Sequence, residues 1–287
     1  MNITGKTQIT GVMGYPVKHS LSPIFQNAAY KKLGLKYVYI PMEVAPENLK
    51  TAVRGIRALN FRGVNLTIPH KKQVLEYLDE ISEEAHILGV ANTIVNTNGK
   101  LKGHITDGSG FINSLKIDGN FKIKNSKVFM LGAGGSAYAI SGALIKNSIS
   151  ELYVCNRTEE KSVLLKKHIS EKLGYKNVTV VPFEKINSKE FWHEPQLLVN
   201  TTSIGMNQQD NLIIKEENFI NLKFVYDIVY NRKTELLLMA EKHQIPCLGG
   251  LSMLVYQGAA SFELWTGEEA PVEEMKKSLN LPSSNYT

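Results

Sequence analysis

Cysteine is scarce in this chain: two among 287 residues, Cys155 and Cys247, far apart and with no CxxC spacing. That excludes a disulfide framework and a structural zinc site, and it suits a reducing cytoplasm. Long apolar runs are absent, and the opening "MNITGKTQIT" carries no apolar h-region, so neither a membrane-spanning helix nor a secretory leader is expected. No repeat recurs at a fixed period and no low-complexity tract interrupts the pattern. Also missing is any block of one charge. The net charge is +6, but the basic residues are scattered among 27 acids, so the charge suits an anionic small molecule as well as nucleic acid, and no nucleic-acid partner is expected. Two kinds of catalytic apparatus are lacking too. No Tyr-x-x-x-Lys spacing occurs, as a short-chain dehydrogenase with a tyrosine acid would need, and no Cys/His/Asp cluster has the spacing of metal ligands, so no metal is expected.

What is present reads as a globular α/β protein. The length exceeds that of an ordinary single domain and favours two. In the first third, "KYVYIPMEV" and "GVNLTI" are β-rich runs, with a helix expected from about Pro46 and another after Pro69, a parallel βαβ rhythm. Near residue 90 the pattern changes to two strand-like runs around Asn96-Thr97-Asn98-Gly99. These read as a hairpin that would give the first sheet an antiparallel edge. From Lys127, five strand-like runs follow in series, "KVFML", "LYVC", "VTVVPF", "QLLVN" and "KFVYDIVY", enough for a second α/β unit. The last stretch is mostly helical and too polar to stand alone, so it is expected to fold back onto the first domain. The resulting expectation is a substrate-binding domain of mixed sheet, residues 1–107 with 247–287, a Rossmann-type domain over 108–246, and a cleft between them.

"GAGGSA", Gly132 to Ala137, follows a strand and opens a helix. In that setting Gly132 permits the tight turn, Gly134 lets the backbone approach a pyrophosphate at the helix N-terminus, and Ala137 lets helix pack closely on strand. The next strand ends in Asn156, Arg157 and Thr158, where an NAD site would carry a carboxylate for the ribose 2′-hydroxyl. A guanidinium there can pair with a 2′-phosphate, Thr158 can donate to it, and Lys161 adds positive charge one turn later, all of which points to NADP.

In "HSLSPIFQNAAYKKLG", Ser22 reads as a helix N-cap with Pro23 at the first helical position and Gly34 as the stop. Capping does not require Ser20, so the two hydroxyls are either a cap with a neighbour or a receptor for a carboxylate. "GVNLTIPHKKQV" places His70, Lys71 and Lys72 behind a strand. On a helix starting at Pro69, Lys71 would share the apolar stripe of Val74, Leu75 and Leu78 and point inward, while Lys72 would turn to solvent. An ammonium in a first helical turn opposes the helix dipole, which marks the placement as functional. His70 is expected to be packed or solvated rather than a base. A lysine acid needs a partner, and Asp107 in "GHITDGSGF" can supply it, or can be no more than the cap of the helix that follows.

In combination, "GYPVKHSLSP", "GVNLTIPHK", "GVANTIV", "TDGSG", "GAGGSA", "NRT", "NTTSIGM" and "GGLSMLVYQGAASFELWTG" resemble the shikimate/quinate dehydrogenase family nearly end to end. The resemblance implies reversible NADPH-dependent reduction of 3-dehydroshikimate to shikimate, in aromatic amino-acid biosynthesis, by a monomer or homodimer. It implies Lys71 and Asp107 as the catalytic pair, and Ser20 and Ser22 on the substrate carboxylate with Tyr230 nearby. Asn65, Thr67, Asn92 and Gln257 would bind ring hydroxyls. The loop Gly132, Ala133, Gly134, Gly135, Ser136, Ala137 would carry NADP together with Asn156, Arg157, Thr158, Lys161 and Thr202, with Met206 and Gly250 near the nicotinamide. Three positions depart from the family pattern: Gln26 for the usual His, Ile105 for Asn and Arg232 for Pro. None removes a proposed catalytic group. The alternatives are a quinate/shikimate dehydrogenase of broader substrate and NAD/NADP use, and a non-catalytic NADP-sensing module, which would not need an inward Lys71 beside Asp107.

Overall fold

The computed structural model describes residues 3–281. The chain forms two compact units, residues 3–110 with 254–281 and residues 111–253. In chain order the elements are β1 (Gln8–Gly14), α1 (Ser22–Lys32), β2 (Tyr37–Glu43), α2 (Leu49–Ala58), β3 (Gly63–Leu66), β4 (Glu80–Ile81), α3 (Glu83–Leu88), β5 (Thr93–Thr97), β6 (Lys100–His104) and α4 (Asp107–Asn113). They continue as β7 (Lys127–Leu131), α5 (Gly135–Lys146), β8 (Glu151–Cys155), α6 (Glu159–Leu173), β9 (Val178–Val181), β10 (Leu197–Asn200), β11 (Phe224–Asp227), α7 (Glu235–Lys242), β12 (Cys247–Leu248), α8 (Leu251–Thr266) and α9 (Val272–Ser278).

The first sheet has the order β2-β1-β3-β5-β6-β4. β1, β2 and β3 run parallel, β5 is antiparallel to both β3 and β6, and β4 is parallel to β6. The hairpin is therefore present, with Asn98 and Gly99 both at positive φ in its two-residue turn, the conformation such hairpins favour. The antiparallel strand is not an edge, however. β5 lies inside the sheet because β6 turns back, and the short β4 then closes the border. One face is covered by α2, whose Leu49, Val53 and Ile56 recur at helical spacing and pack with Met13, Val64 and Ile94. On aromatic residues of α1 and α8, Tyr30 stacks on Phe262 with centroids 5.1 Å apart.

Two local expectations fail. Residues 69–72 after β3 are turn rather than α-helix, and only a short 3-10 stretch, Gln73–Tyr77, follows. And α1 begins at Ser22, with Leu21 and not Ser22 as N-cap, so the Ser22 hydroxyl does not cap the helix. The strand β1, paired between β2 and β3, has no clear signature in the sequence because glycines and polar residues interrupt its alternation.

The second sheet is wholly parallel, in the order β12-β11-β10-β7-β8-β9. Counted within the unit this is the doubly wound dinucleotide-binding order, whose reversal point falls between β7 and β10. Its strands are buried on both faces, so they read as near-continuous apolar runs. β12 joins the sheet at its border, so the chain stays with this unit through Met253. Among the described residues no helix is long and apolar enough to cross a membrane.

Candidate active site

In the first unit a buried polar network gathers at the carboxyl end of β3. Lys71 Nζ pairs with Asp107 Oδ2, and their side chains are only 14% and 6% exposed. The turn that delivers Lys71 is fastened on two sides. His70, fully buried, bonds through Nε2 to the Val44 carbonyl at 2.8 Å, while the Lys71 carbonyl accepts from the Ala91 N–H at 2.9 Å. Lys72 faces outward. Lys71 thus points inward, held by tertiary contacts and not by a helix, so the dipole argument does not apply to it.

Asp107 opens α4, yet its carboxylate is not spent on capping. Oδ1 accepts from Asn92 Nδ2 at 2.8 Å and Oδ2 faces Lys71. Asn92 is the hub of the network. It also donates toward Thr106 Oγ1 and Gln257 Oε1, and its oxygen accepts from the Thr106 N–H at 2.8 Å. A buried carboxylate that is charge-balanced on one oxygen and hydrogen-bonded on the other has a fixed orientation.

The remaining residues expected to hold substrate are placed unevenly. Asn65 is buried, and its amide is committed to the protein: Nδ2 lies near Asn92 O, Thr93 Oγ1 and Ser261 Oγ, and Oδ1 accepts from the Tyr39 O–H at 2.7 Å. It braces the network in this structure. Thr67 is half-buried on the same strand exit, with its methyl over Gly14. Ser20 Oγ accepts weakly from the Ser22 N–H at 3.4 Å, and the hydroxyl of buried Ser22 is left over from capping. Gln257 Nε2 donates to the Leu254 carbonyl. Tyr230 belongs to the second unit, half-buried, and burial raises its phenol pKa.

Four members of this network went unread in the sequence: Tyr39, Thr93, Thr106 and Ser261. Ser261 had a usable signal, since it lies four residues after Gln257 and so on the same helical face. Its hydroxyl donates to the Gln257 carbonyl and sits 2.8 Å from Thr93 Oγ1.

In the second unit the residues expected to hold a cofactor line the carboxyl ends of β7, β8 and β10. Gly132 has φ +103, and a Cβ there would come within 2.5 Å of Thr201 Oγ1, so only glycine lets the β7 and β10 loops approach this closely. Ala133 and Ala137 are buried, while Gly135 and Ser136 are half-buried. Gly134 is the N-cap of α5 and has open space around it; no side chain caps the helix and its first turn holds no acid. Those free amides fit a pyrophosphate. Beyond β8, Asn156 Nδ2 donates to the Thr158 carbonyl, and Arg157, Thr158 and Lys161 are exposed. Thr158 is the N-cap of α6 without using its hydroxyl, so a guanidinium, a hydroxyl and an ammonium are all available to a 2′-phosphate. The donor set fits NADP.

Beyond β10, Asn200 organises the loop to Met206. Its oxygen accepts from the Thr202 N–H and hydroxyl, and its Nδ2 donates to buried Asp227 at 2.9 Å. Asp227 also accepts from the Val229 N–H and the Thr234 hydroxyl. Burial nonetheless pushes its pKa up to about 6. Met206 is 43% exposed, and the Gly250 N–H donates to the Val229 carbonyl. Among the described residues no group of three or more His, Cys, Asp or Glu could hold a metal ion.

Comparison with known proteins agrees with this division. Three family models match in succession: the shikimate dehydrogenase substrate binding domain over residues 12–94, shikimate / quinate 5-dehydrogenase over 115–223, and the shikimate 5'-dehydrogenase C-terminal domain over 250–279. The shikimate dehydrogenase (NADP(+)) of Caldanaerobacter subterraneus is 42% identical over 270 residues, 93% of this chain and 95% of that protein. That of Methanopyrus kandleri is 40% identical over 282 residues, 97% of each. Among solved structures, the Thermus thermophilus shikimate 5-dehydrogenase in complex with NADP(H) and shikimate is 34% identical, with a TM-score of 0.84 over 96% of this chain and 99% of that one.

Proposed function

The chain belongs to the shikimate dehydrogenase family, and from that membership we propose that it catalyses the reversible NADPH-dependent reduction of 3-dehydroshikimate to shikimate. The bound nicotinamide supplies the hydride; the chain's own groups handle the proton and hold the substrate. The observation that carries this reading is the Lys71–Asp107 pair, the one buried ion pair of the first unit's polar network. Lys71 Nζ donates its proton to the C3 carbonyl oxygen during reduction and takes it back during oxidation. Asp107, oriented by Asn92, balances the ammonium and keeps its hydrogens directed.

Ser20 and Ser22 receive the substrate carboxylate; what supports this is that the Ser22 hydroxyl is not used as a helix cap. Thr67, Asn92 and Gln257 meet ring hydroxyls, while Asn65 acts from behind as their brace. Tyr230 remains assigned near the carboxylate on the resemblance alone. The first unit binds substrate and the second binds NADP, through the Gly132–Ala137 loop and through Asn156, Arg157, Thr158, Lys161 and Thr202. Met206 and Gly250 lie toward the nicotinamide. Unlinked Cys155 and Cys247 suit a cytoplasmic enzyme.

The test is the absorbance of reduced nicotinamide, with shikimate or quinate as substrate and NADP or NAD as cofactor. The expected result is strongest turnover for shikimate with NADP. Inactivity with all four pairs sinks the reading, and a preference for quinate with NAD replaces it by the broader-specificity alternative.

A further inference from the structure

The short loop carrying Met206 is held with unusual completeness. From Ile204 to Asn207 every backbone N–H and C=O is hydrogen-bonded within the protein. The Ile204 N–H donates to Thr202 Oγ1 and its carbonyl accepts from Asn200 Nδ2. The Gly205 and Asn207 N–H groups both donate to Asp210 Oδ2, at 2.9 and 3.1 Å. The Met206 N–H donates to the Ser203 carbonyl. The three remaining carbonyls are taken by two consecutive residues beyond β11: Asn231 Nδ2 donates to Met206 O at 3.0 Å, and Arg232 Nη1 donates to Gly205 O and Asn207 O, each at 3.2 Å. Arg232 is itself steadied by Glu235, 3.9 Å from Nη2. Below the loop, Gly205 at φ +100 lies against Thr234, where a Cβ would come within 2.8 Å of the threonine methyl.

Satisfaction alone does not explain this. A surface loop can leave its polar groups to water at little cost, so protein groups that take every one of them, side chains for all but the Met206 N–H, fix a position. What they fix is a methionine that stays 43% exposed, on a fully hydrogen-bonded backbone. The Asn207 and Gly205 N–H groups hold the Asp210 carboxyl below the usual carboxylate range, with Arg232 adding to the effect, so acidification into the weakly acid range leaves the clamp charged. A proline at position 232 would have no donor to offer, so the clamp depends on the guanidinium.

We propose that Asn231 and Arg232 are positioning residues for the cofactor, holding the carbonyls of Gly205, Met206 and Asn207 so that Met206 meets the nicotinamide ring at a set place. The inference rests on the NADP reading above, and its test separates the two. NADP affinity is measured by titration calorimetry for the wild type, Arg232→Ala, Met206→Ala and the double variant, with a thermal melt of each. Loss of the clamp should weaken NADP binding roughly five- to tenfold, the worth of one or two hydrogen bonds. It should raise the KM for NADP while leaving that for shikimate unchanged. Met206→Ala should weaken NADP to a similar degree, and the double variant should be no weaker than Met206→Ala alone, because Arg232 acts through Met206.

Arg232→Lys, which keeps one donor, and Asn231→Ala should fall between, and they serve if Arg232→Ala does not fold. Additive losses, or a fall in melting temperature with NADP affinity intact, overturn the clamp and leave the enzyme reading standing. Unchanged NADP affinity in Met206→Ala overturns the placement of Met206 toward the nicotinamide, and the clamp with it.

Discussion

Each unit keeps one carboxylate almost wholly out of water, and the two are held in opposite ways. Asp107 meets a cation: Lys71 takes one oxygen and the Asn92 amide the other. Asp227 meets only neutral donors, the amide of Asn200, the N–H of Val229 and the hydroxyl of Thr234. Three such donors are enough to organise a loop, but they do not fully offset desolvation, which raises the Asp227 pKa to about 6. A site that must hand over a proton needs a group that carries one, and there the carboxylate balances a lysine. Under the proposed mechanism the contrast separates a reacting centre from a scaffold centre, although residue type and burial are nearly the same in both.

Removing the cation breaks the contrast most sharply. Lys71→Ala should lower kcat by roughly 10²–10⁴, the usual worth of a positioned proton donor, with little change in the KM for shikimate. If turnover survives in steady-state assays, the proton-donor role is lost. Next in size is the scaffold centre. Asp227→Ala leaves three buried donors without an acceptor and should cost about 2–3 kcal/mol of stability in urea unfolding, with the Lys71 chemistry affected only indirectly.

Asp227 also gives a sign to the pH dependence. Its folded pKa lies above the ordinary 3.8, so between roughly pH 4 and 6 the folded state binds the extra proton. This group's contribution to stability is therefore present at low pH and declines as pH rises through that window, by at most about 1.4 kcal/mol per pH unit. Comparing unfolding from pH 4 to 7 for wild type and Asp227→Asn should show the decline flattened in the variant; parallel curves would remove Asp227 as its source. The smallest effect belongs to the serines. Ser22→Ala should raise the KM for shikimate about fivefold and leave the melting temperature unchanged. A capping serine would instead lose about 1 kcal/mol of stability.

Much of this is legible in the sequence. The glycine turn after β7, the guanidinium after β8 and the Asn98-Gly99 hairpin are local features, set by residues adjacent in the chain. Lys71 is the instructive case. Helical geometry selects it as the inward group, yet no α-helix follows Pro69; it points inward because His70 is pinned to Val44 and its own carbonyl to Ala91. Asn65 shows the converse, a polar strand residue whose spacing suits a ligand and whose amide also braces the protein's own network.

The sequence by itself determined most of the strands, helices and turns, though not β1 or the turn after Pro69, and which chemical groups are available, because periodicity, glycine and proline act over a few residues. Only the tertiary structure decided which of those groups meet. The hydroxyl of Ser261 reaches Asn65 across 196 positions and Thr93 across 168, and Arg232 reaches Asn207 across 25. Contacts of that kind leave no periodic trace in a chain. They exist because packing two faces of a sheet brings distant polar side chains into places without water, where each must find a partner in another element.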